Sequence, residues 1–322
     1  MESNRIAQTA VPDLRRHKKN KIIDHYRKYW VLHLMALPTI VLVFLFSYAP
    51  MFGIVVAFQD YKAALGVFGS KFTGLKNFEF LFASTDAWNI TRNTIVYNVI
   101  FIVMNFFLSI LLAILFSEMW SKKLYKTLQT IYIMPNFLSY AVVSMIVYAF
   151  LNGGCGYLNT LLESMGFEGQ NWYQTRSFWP GFLIFLNAWK SVGWSSIIYT
   201  ATITGISMDY YEAAMLDGAS KIQQAIHITI PHLKYIMIIL FIMSIGSIFH
   251  GDFGLFYTVP QNNGYLYPVT DVIDTYIYRA LTQMTNTGMS MAASLYQSVV
   301  GFVMIILSNW LVRVYDPESS LF

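Results

Sequence analysis

EAAMLDGASKIQQAIHITIP, residues Glu212 to Pro231, is a short polar passage set between two apolar runs of membrane length. Its local signals agree with one another. Asp209 and Glu212 stand three apart, an acidic variant of the capping box with Asp209 at the N-cap. Their carboxylates also lie at the positive end of the helix dipole. The pattern predicts a short helix over Tyr210 to Asp217, closed by Gly218 in the left-handed conformation. Ser220 and Gln223 repeat the spacing and open a second helix with Ile222, Ala225 and Ile226 on one face. Pro231 suits the first turn of the next helix, where its missing N–H costs nothing. An amphipathic connector lying on a membrane needs one apolar face and a basic polar face. Small Ala213, Ala214 and Ala219 around a sharp turn instead suit docking into a protein groove.

The surroundings are lipid-like. Of 322 residues 56% are hydrophobic and 12% charged, half the roughly 25% charge of a soluble domain, and mean hydropathy is +0.48. Stretches of about 20 apolar residues predict six spans, roughly Trp30–Phe58, Asn93–Phe116, Leu128–Leu151, Phe178–Ile206, Leu233–Phe249 and Met291–Val312. Pro38 and Pro50 interrupt the first, and Pro135 sits near the start of the third. The first apolar run is too long for a signal-peptide core, so it is expected to stay as span one. The fold class expected is an all-α integral membrane protein, with a basic segment at 1–29 and a single transmembrane domain at 30–322. The single cysteine, Cys155, excludes an internal disulfide framework.

Lysine and arginine placement orients the spans. Arg5, Arg15, Arg16, Lys18, Lys19, Lys21, Arg27 and Lys28 precede span one; Lys122, Lys123 and Lys126 follow span two. Lys221, Lys234 and Arg313 fall on the same side, whereas the opposite side has Lys62, Lys71, Lys76, Arg92, Arg176 and Arg279. Both termini and the loop at 207–231 are therefore expected in the cytoplasm. The basic N-terminal run lies beside a span, which favours lipid contact over nucleic acid.

Glu212-Ala213-Ala214, three residues, Gly218, nine residues, then Ile228-Thr229-Ile230-Pro231 resembles the EAA loop of binding-protein-dependent ABC importer permeases. Ile230 stands where leucine is usual. AFQDYKAALGVFGSKFTGLKNF (Ala57–Phe78), MPNFLSY (Met134–Tyr140), WKSVGW (Trp189–Trp194), DFGLFY (Asp252–Tyr257) and the terminal SSLF look like the maltose-related sugar permeases, in the oligosaccharide group that includes the alginate importer. That resemblance implies an importer for oligosaccharides in the bacterial plasma membrane. Its partners would be a second permease, an ATPase dimer and an external substrate-binding protein. The loop would form coupling helices seated in the ATPase, with Glu212, Ala213, Ala214, Asp217, Gly218, Ala219 and Pro231 as the contact. No G-x-x-x-x-G-K-[ST] loop occurs in the chain; ATP and Mg²⁺ would bind the partner ATPase, and no cofactor is expected here. A permease for a peptide or polyol, and a six-span sensor or enzyme, are the rival classes.

Lys190 lies mid-span, where a lysine costs about 2.5–3.5 kcal/mol on insertion scales. Either it reaches an interface or a carboxylate, or it faces the pathway. Asn187, Lys190 and Trp194 share one helical face, which could offer an amide, an ammonium and an aromatic plane to a sugar. A uronate in the cargo would make Lys190 a counter-charge. Asn136 and Tyr140 with Ser144, Asn98 with Asn105, and Ser294, Gln297 and Ser298 form further polar stripes, readable as interhelical hydrogen bonds or as pathway lining. Asp252 stands just beyond span five, where it could gate, pair with Lys190 or be hydrated. Trp172, Tyr173, Trp179, Tyr257, Tyr265 and Tyr267 read as an interfacial belt with room for contacts to the binding protein or sugar. The six histidines form no metal-ligand spacing.

Overall fold

The computed structural model describes His25, residues 27–79 and residues 84–315. The basic segment at 1–24 and the terminal SSLF lie outside the described residues. The chain divides into two compact units, Met1–Val55 and Val56–Phe322, with the boundary inside the first apolar run. The first unit carries α1 (Trp30–Val43), which encloses Pro38. A π-helical turn follows at Phe44–Tyr48, then a 3-10 segment at Ala49–Phe58. Pro50 has no N–H to continue a regular ladder, and the interruption takes the form of these altered helical turns.

The second unit opens with a departure from an all-α fold. Strand β1 (Gln59–Asp60) pairs antiparallel with β2 (Lys71–Phe72), and the Asn77 amide donates to the carbonyls of Ala57 and Gln59. Helix α2 (Thr85–Ser117) follows; the Ser84 hydroxyl accepts the Ala87 N–H at its N-terminus.

Where one third span was expected, α3 (Lys122–Phe137) and α4 (Tyr140–Leu151) meet at a bend of 96°. Pro135 removes one ladder donor, and Ser139 caps a fresh helix by accepting the Val142 N–H. The loop beyond α4 holds α5 (Tyr157–Ser164) and leads to α6 (Phe178–Thr204), which is 27 residues long. Then come α7 (Met208–Leu216), α8 (Lys221–Gly246), α9 (Ile273–Thr282) and α10 (Thr287–Tyr315). The sequence signals did not reveal α5 and α9, whose apolar stripes are too short to stand out.

Among the described residues four helices are long and apolar enough to cross a membrane, and the bent pair α3–α4 makes five. The expected fourth span, α6, is long enough but carries Asn187, Lys190, Ser191, Ser195, Ser196, Thr200 and Thr202. It packs along α2 through two apolar clusters. Trp179, Leu183 and Leu186 meet Tyr97 and Phe101 at one end; Tyr199 and Ile203 meet Ile110, Ala113 and Leu233 at the other. On its far side Gly193 lies so close to α3 that a Cβ would fall on the Tyr132 carbonyl.

Candidate translocation cavity and coupling hairpin

Between those clusters the polar faces of α2, α6 and α8 line an open cavity of about 550 Å³. Asn98 and Asn105 come from α2, Asn187, Ser191 and Ser195 from α6, Ser244 from α8, and His250 and Asp252 from the loop that follows. Phe101, Phe106, Tyr199 and Phe241 supply aromatic wall. Ser191 donates to the Asn187 carbonyl and Ser244 to that of Leu240, so each donor is satisfied within its own helix and an oxygen acceptor is left. The lining therefore offers amides, hydroxyl oxygens and aromatic carbon, the groups that suit a polyhydroxylated solute.

The cavity takes in only part of the expected pathway set. Asn187 and Asp252 line it; Lys190, Trp194, Asn136 and Tyr140 are not among its lining residues. Lys190 is 7% exposed. Its ammonium donates to the carbonyls of Pro135 (3.1 Å), Asn136 (3.4 Å) and Leu138, and lies 4.6 Å from the centre of the Tyr140 ring. Those carbonyls are the ones freed where α3 ends and the chain bends into α4. The Asn136 amide returns a bond to the Lys190 carbonyl. An ammonium has three donors, and the three carbonyls place the charge at the bend. Trp194 packs edge-on against Phe137.

At the cavity rim Asp274 accepts from the Gly251 N–H and the Gln297 amide, and its other oxygen lies 4.0 Å from His250 Nδ1. The Asp274 carboxylate beside it holds the His250 imidazole above its ordinary pKa, against the opposing effect of burial. The segment between α8 and α9 is fixed to α2: Asn93 donates to the Pro268 and Asp271 carbonyls, Tyr97 to Val269, and Asn98 to Ile248 and His250. Arg279, expected as a loop cation, is instead buried in a two-bond pair with Asp271, 4.1 Å from the Tyr267 ring. Cutting one side of such a buried pair costs about 3–5 kcal/mol.

At the opposite end of α6 stands the hairpin. Its first helix begins two residues earlier than the capping pattern implied: Ser207, not Asp209, is the N-cap and accepts the Asp209 N–H. Gly218 adopts φ +80°. Ala219 N–H bonds to the Ala214 carbonyl and Gly218 N–H to that of Met215, the paired closure of a Schellman turn. Ser220 and Gln223 form the expected capping box. The second helix, however, does not end before span five. Lys221–Gln224 passes through a π-helical turn at Ala225–Thr229 into Ile230–Gly246, giving one helix of 26 residues. The widened turn precedes Pro231, whose ring and missing N–H a regular turn would not accommodate. Tyr211 bonds to Thr229 at 2.9 Å and Lys221 pairs with Glu118 at 2.8 Å, fastening the hairpin to α8 and to the end of α2. Glu212, Ala213, Asp217 and Gly218 are exposed, as are Leu216 (90%) and Ile222 (72%) at the tip.

Residues 106–318 match the family described as binding-protein-dependent transport system inner membrane component. The chain is 32% identical over 305 residues to the polygalacturonan/rhamnogalacturonan transport system permease protein YteP of Bacillus subtilis (strain 168), covering 95% of this chain and 94% of that one. It is 29% identical to Protein LplB of the same organism, over 89% of this chain and 90% of the relative. A crystal structure of a bacterial ABC transporter involved in the import of the acidic polysaccharide alginate superposes with a TM-score of 0.83 at 29% identity, over 92% of this chain and 99% of its own. A second structure, of an alginate ABC transporter in complex with an alginate pentasaccharide-bound periplasmic protein, gives 0.81 at 30% identity, over 91% and 97%.

Proposed function

The chain belongs to the inner membrane components of binding-protein-dependent transport systems, and from that premise we propose that it is one permease subunit of an ATP-driven oligosaccharide importer. Six spans leave both termini and the hairpin on the cytoplasmic side. A second permease completes the pathway, a pair of ATPase subunits binds ATP and Mg²⁺, and an external binding protein delivers the sugar. Uronate-containing chains such as those of the relatives are the favoured cargo class.

The observation that carries this reading is the hairpin. Its tip exposes Leu216 and Ile222 around a turn made rigid by paired hydrogen bonds, and it continues without a break into α8, which lines the cavity through Leu240, Phe241 and Ser244. An ATPase cleft closing on Glu212 to Ala219 pushes a continuous rod whose far half is cavity wall. Motion at the tip then reaches the pathway directly, and the cavity opens alternately to each side. Asn187 and Asp252, with Asn98 and Asn105, hold the sugar through hydrogen bonds.

Gly218→Pro tests the coupling. Proline fixes φ near −65° and has no N–H, so it fits neither φ +80° nor the bond to Met215. In the complete transporter reconstituted in vesicles, oligosaccharide uptake should fall at least tenfold while ATP hydrolysis continues. Uptake at the unsubstituted rate would refute the lever.

A further inference from the structure

At the end of α6 away from the hairpin, three loop segments converge on a second depression of about 380 Å³. Its volume lies within the roughly 300–1,000 Å³ of small-ligand sites. It is lined by Tyr148, Asn152, Gly153, Asn171, Tyr173, Gln261 and Asn263. Two phenols and four side-chain amides stand there without a single charge.

The walls are held from behind. Asn159, 3% exposed, donates to the carbonyls of Gly153 and Gln170 and accepts from the Gln170 N–H and the Trp172 indole. It thereby ties the 152–153 segment to the 170–172 segment. Asn263 donates to the Tyr173 carbonyl at 2.9 Å and joins the third segment to the second. With these two amides used as fasteners, the Asn171 and Gln261 amides and the Asn152 NH₂ group make no hydrogen bond among the described residues. Gly153 has no side chain to cover Asn171, whose Cγ would lie 3.4 Å from a Cβ there.

Backbone strain marks the same place. Gln261 has φ 58° and Asn262 φ 47°, a region that non-glycine residues enter at an energetic cost and in which they persist where the surroundings enforce it. Glycine would relieve that strain at Gln261, yet a residue with an amide side chain occupies it at the pocket wall.

We infer that this depression is a sugar subsite on the outer face, recognising a hydroxyl-rich pyranose unit of the incoming chain before it enters the cavity. Each free amide pairs a donor with an acceptor, matching neighbouring hydroxyls that both donate and accept. Tyr148, 43% exposed and edge-on to Tyr173, supplies an aromatic face for the C–H side of the ring. A peptide's charged terminus would find no counter-charge in this lining. The inference rests on the oligosaccharide reading above.

The test uses the complete transporter in nanodiscs without its binding protein, with galacturonate pentasaccharide and maltopentaose as probes and binding followed by calorimetry. Asn171→Ala combined with Gln261→Gly removes both amides, and glycine keeps the left-handed backbone; thermal unfolding checks that the fold is intact. At least one probe should bind the parent, and the double variant should bind it at least tenfold more weakly; in sealed vesicles supplied with the binding protein, KM for uptake should rise with kcat unchanged. Equal sugar affinity in parent and variant overturns the subsite while oligosaccharide uptake by the parent leaves the transport reading intact. Weaker docking of the binding protein with sugar affinity unchanged also overturns it, assigning the depression to a protein contact. Absence of oligosaccharide uptake by the parent overturns the transport reading, and the subsite with it.

Discussion

Lys190 shows how one side chain can be legible in kind while its partners are not. A lysine in a span must be served by polar partners or water, and the chain serves this one with backbone. Its ammonium gathers the carbonyls that α3 frees at the bend: Pro135, Asn136 and Leu138. The cation at a helix C-terminus also meets the negative end of that helix's dipole. Lys190→Met should therefore lower stability rather than alter cargo choice, by about 1–3 kcal/mol for the carbonyls left unpaired. Thermal unfolding of the purified protein in detergent reads this; an unchanged midpoint with altered cargo preference would return Lys190 to the pathway. Arg279 teaches the same point. Its charge was visible, but its partner Asp271, eight residues earlier, is identified only by the folded segment that leads into α9.

At the level of elements, α6 is the piece on which the second unit is assembled. One face packs on α2, another meets α3, and a third carries Asn187, Ser191 and Ser195 to the cavity. Its contact with α3 depends on Gly193, because any side chain there collides with the Tyr132 carbonyl. Gly193→Val should force α3 away from α6, loosen the Lys190 capping at the bend and reduce the folded yield severalfold. The measurement is monodisperse protein recovered from membranes, with Gly181→Val as a control, since a Cβ at Gly181 meets open space. Helix α8 shows the other side of element-level reading. The sequence pattern marked Pro231 as a helix start, yet the π-turn ahead of it lets one helix run through. A turn of that kind depends on how the chain is held on both sides of the proline, and Thr229 is held by Tyr211.

On the scale of the whole molecule, the native thiol offers a direct test of orientation. Cys155 is exposed in the loop between α4 and α5, at the end of α6 opposite to the hairpin. With the hairpin in the cytoplasm, a membrane-impermeant maleimide applied to intact spheroplasts should label Cys155. A C155S variant carrying Ala213→Cys should be labelled only after permeabilisation. The reverse pattern would invert the topology and remove the hairpin from reach of an ATPase.

Composition and span-length apolar runs made the membrane class and most helix positions legible, because lipid demands long helices with satisfied backbone and leaves few alternatives. The hairpin was legible for a different reason: capping boxes and a left-handed glycine are local chemistry, complete within a few residues of Glu212 to Gln223. Tertiary structure alone decided which polar residues face one another. Asn187 lines a cavity while Lys190, on the same stretch of α6, caps a broken helix; Asn98 and Asn105 reach the cavity with Asp252, more than 140 residues away in sequence. Helical spacing fixes only the angle at which a side chain leaves its own axis. What it meets there depends on the helices that close around it, and those are set by the packing of Gly193, Trp179 and Tyr199 into their neighbours.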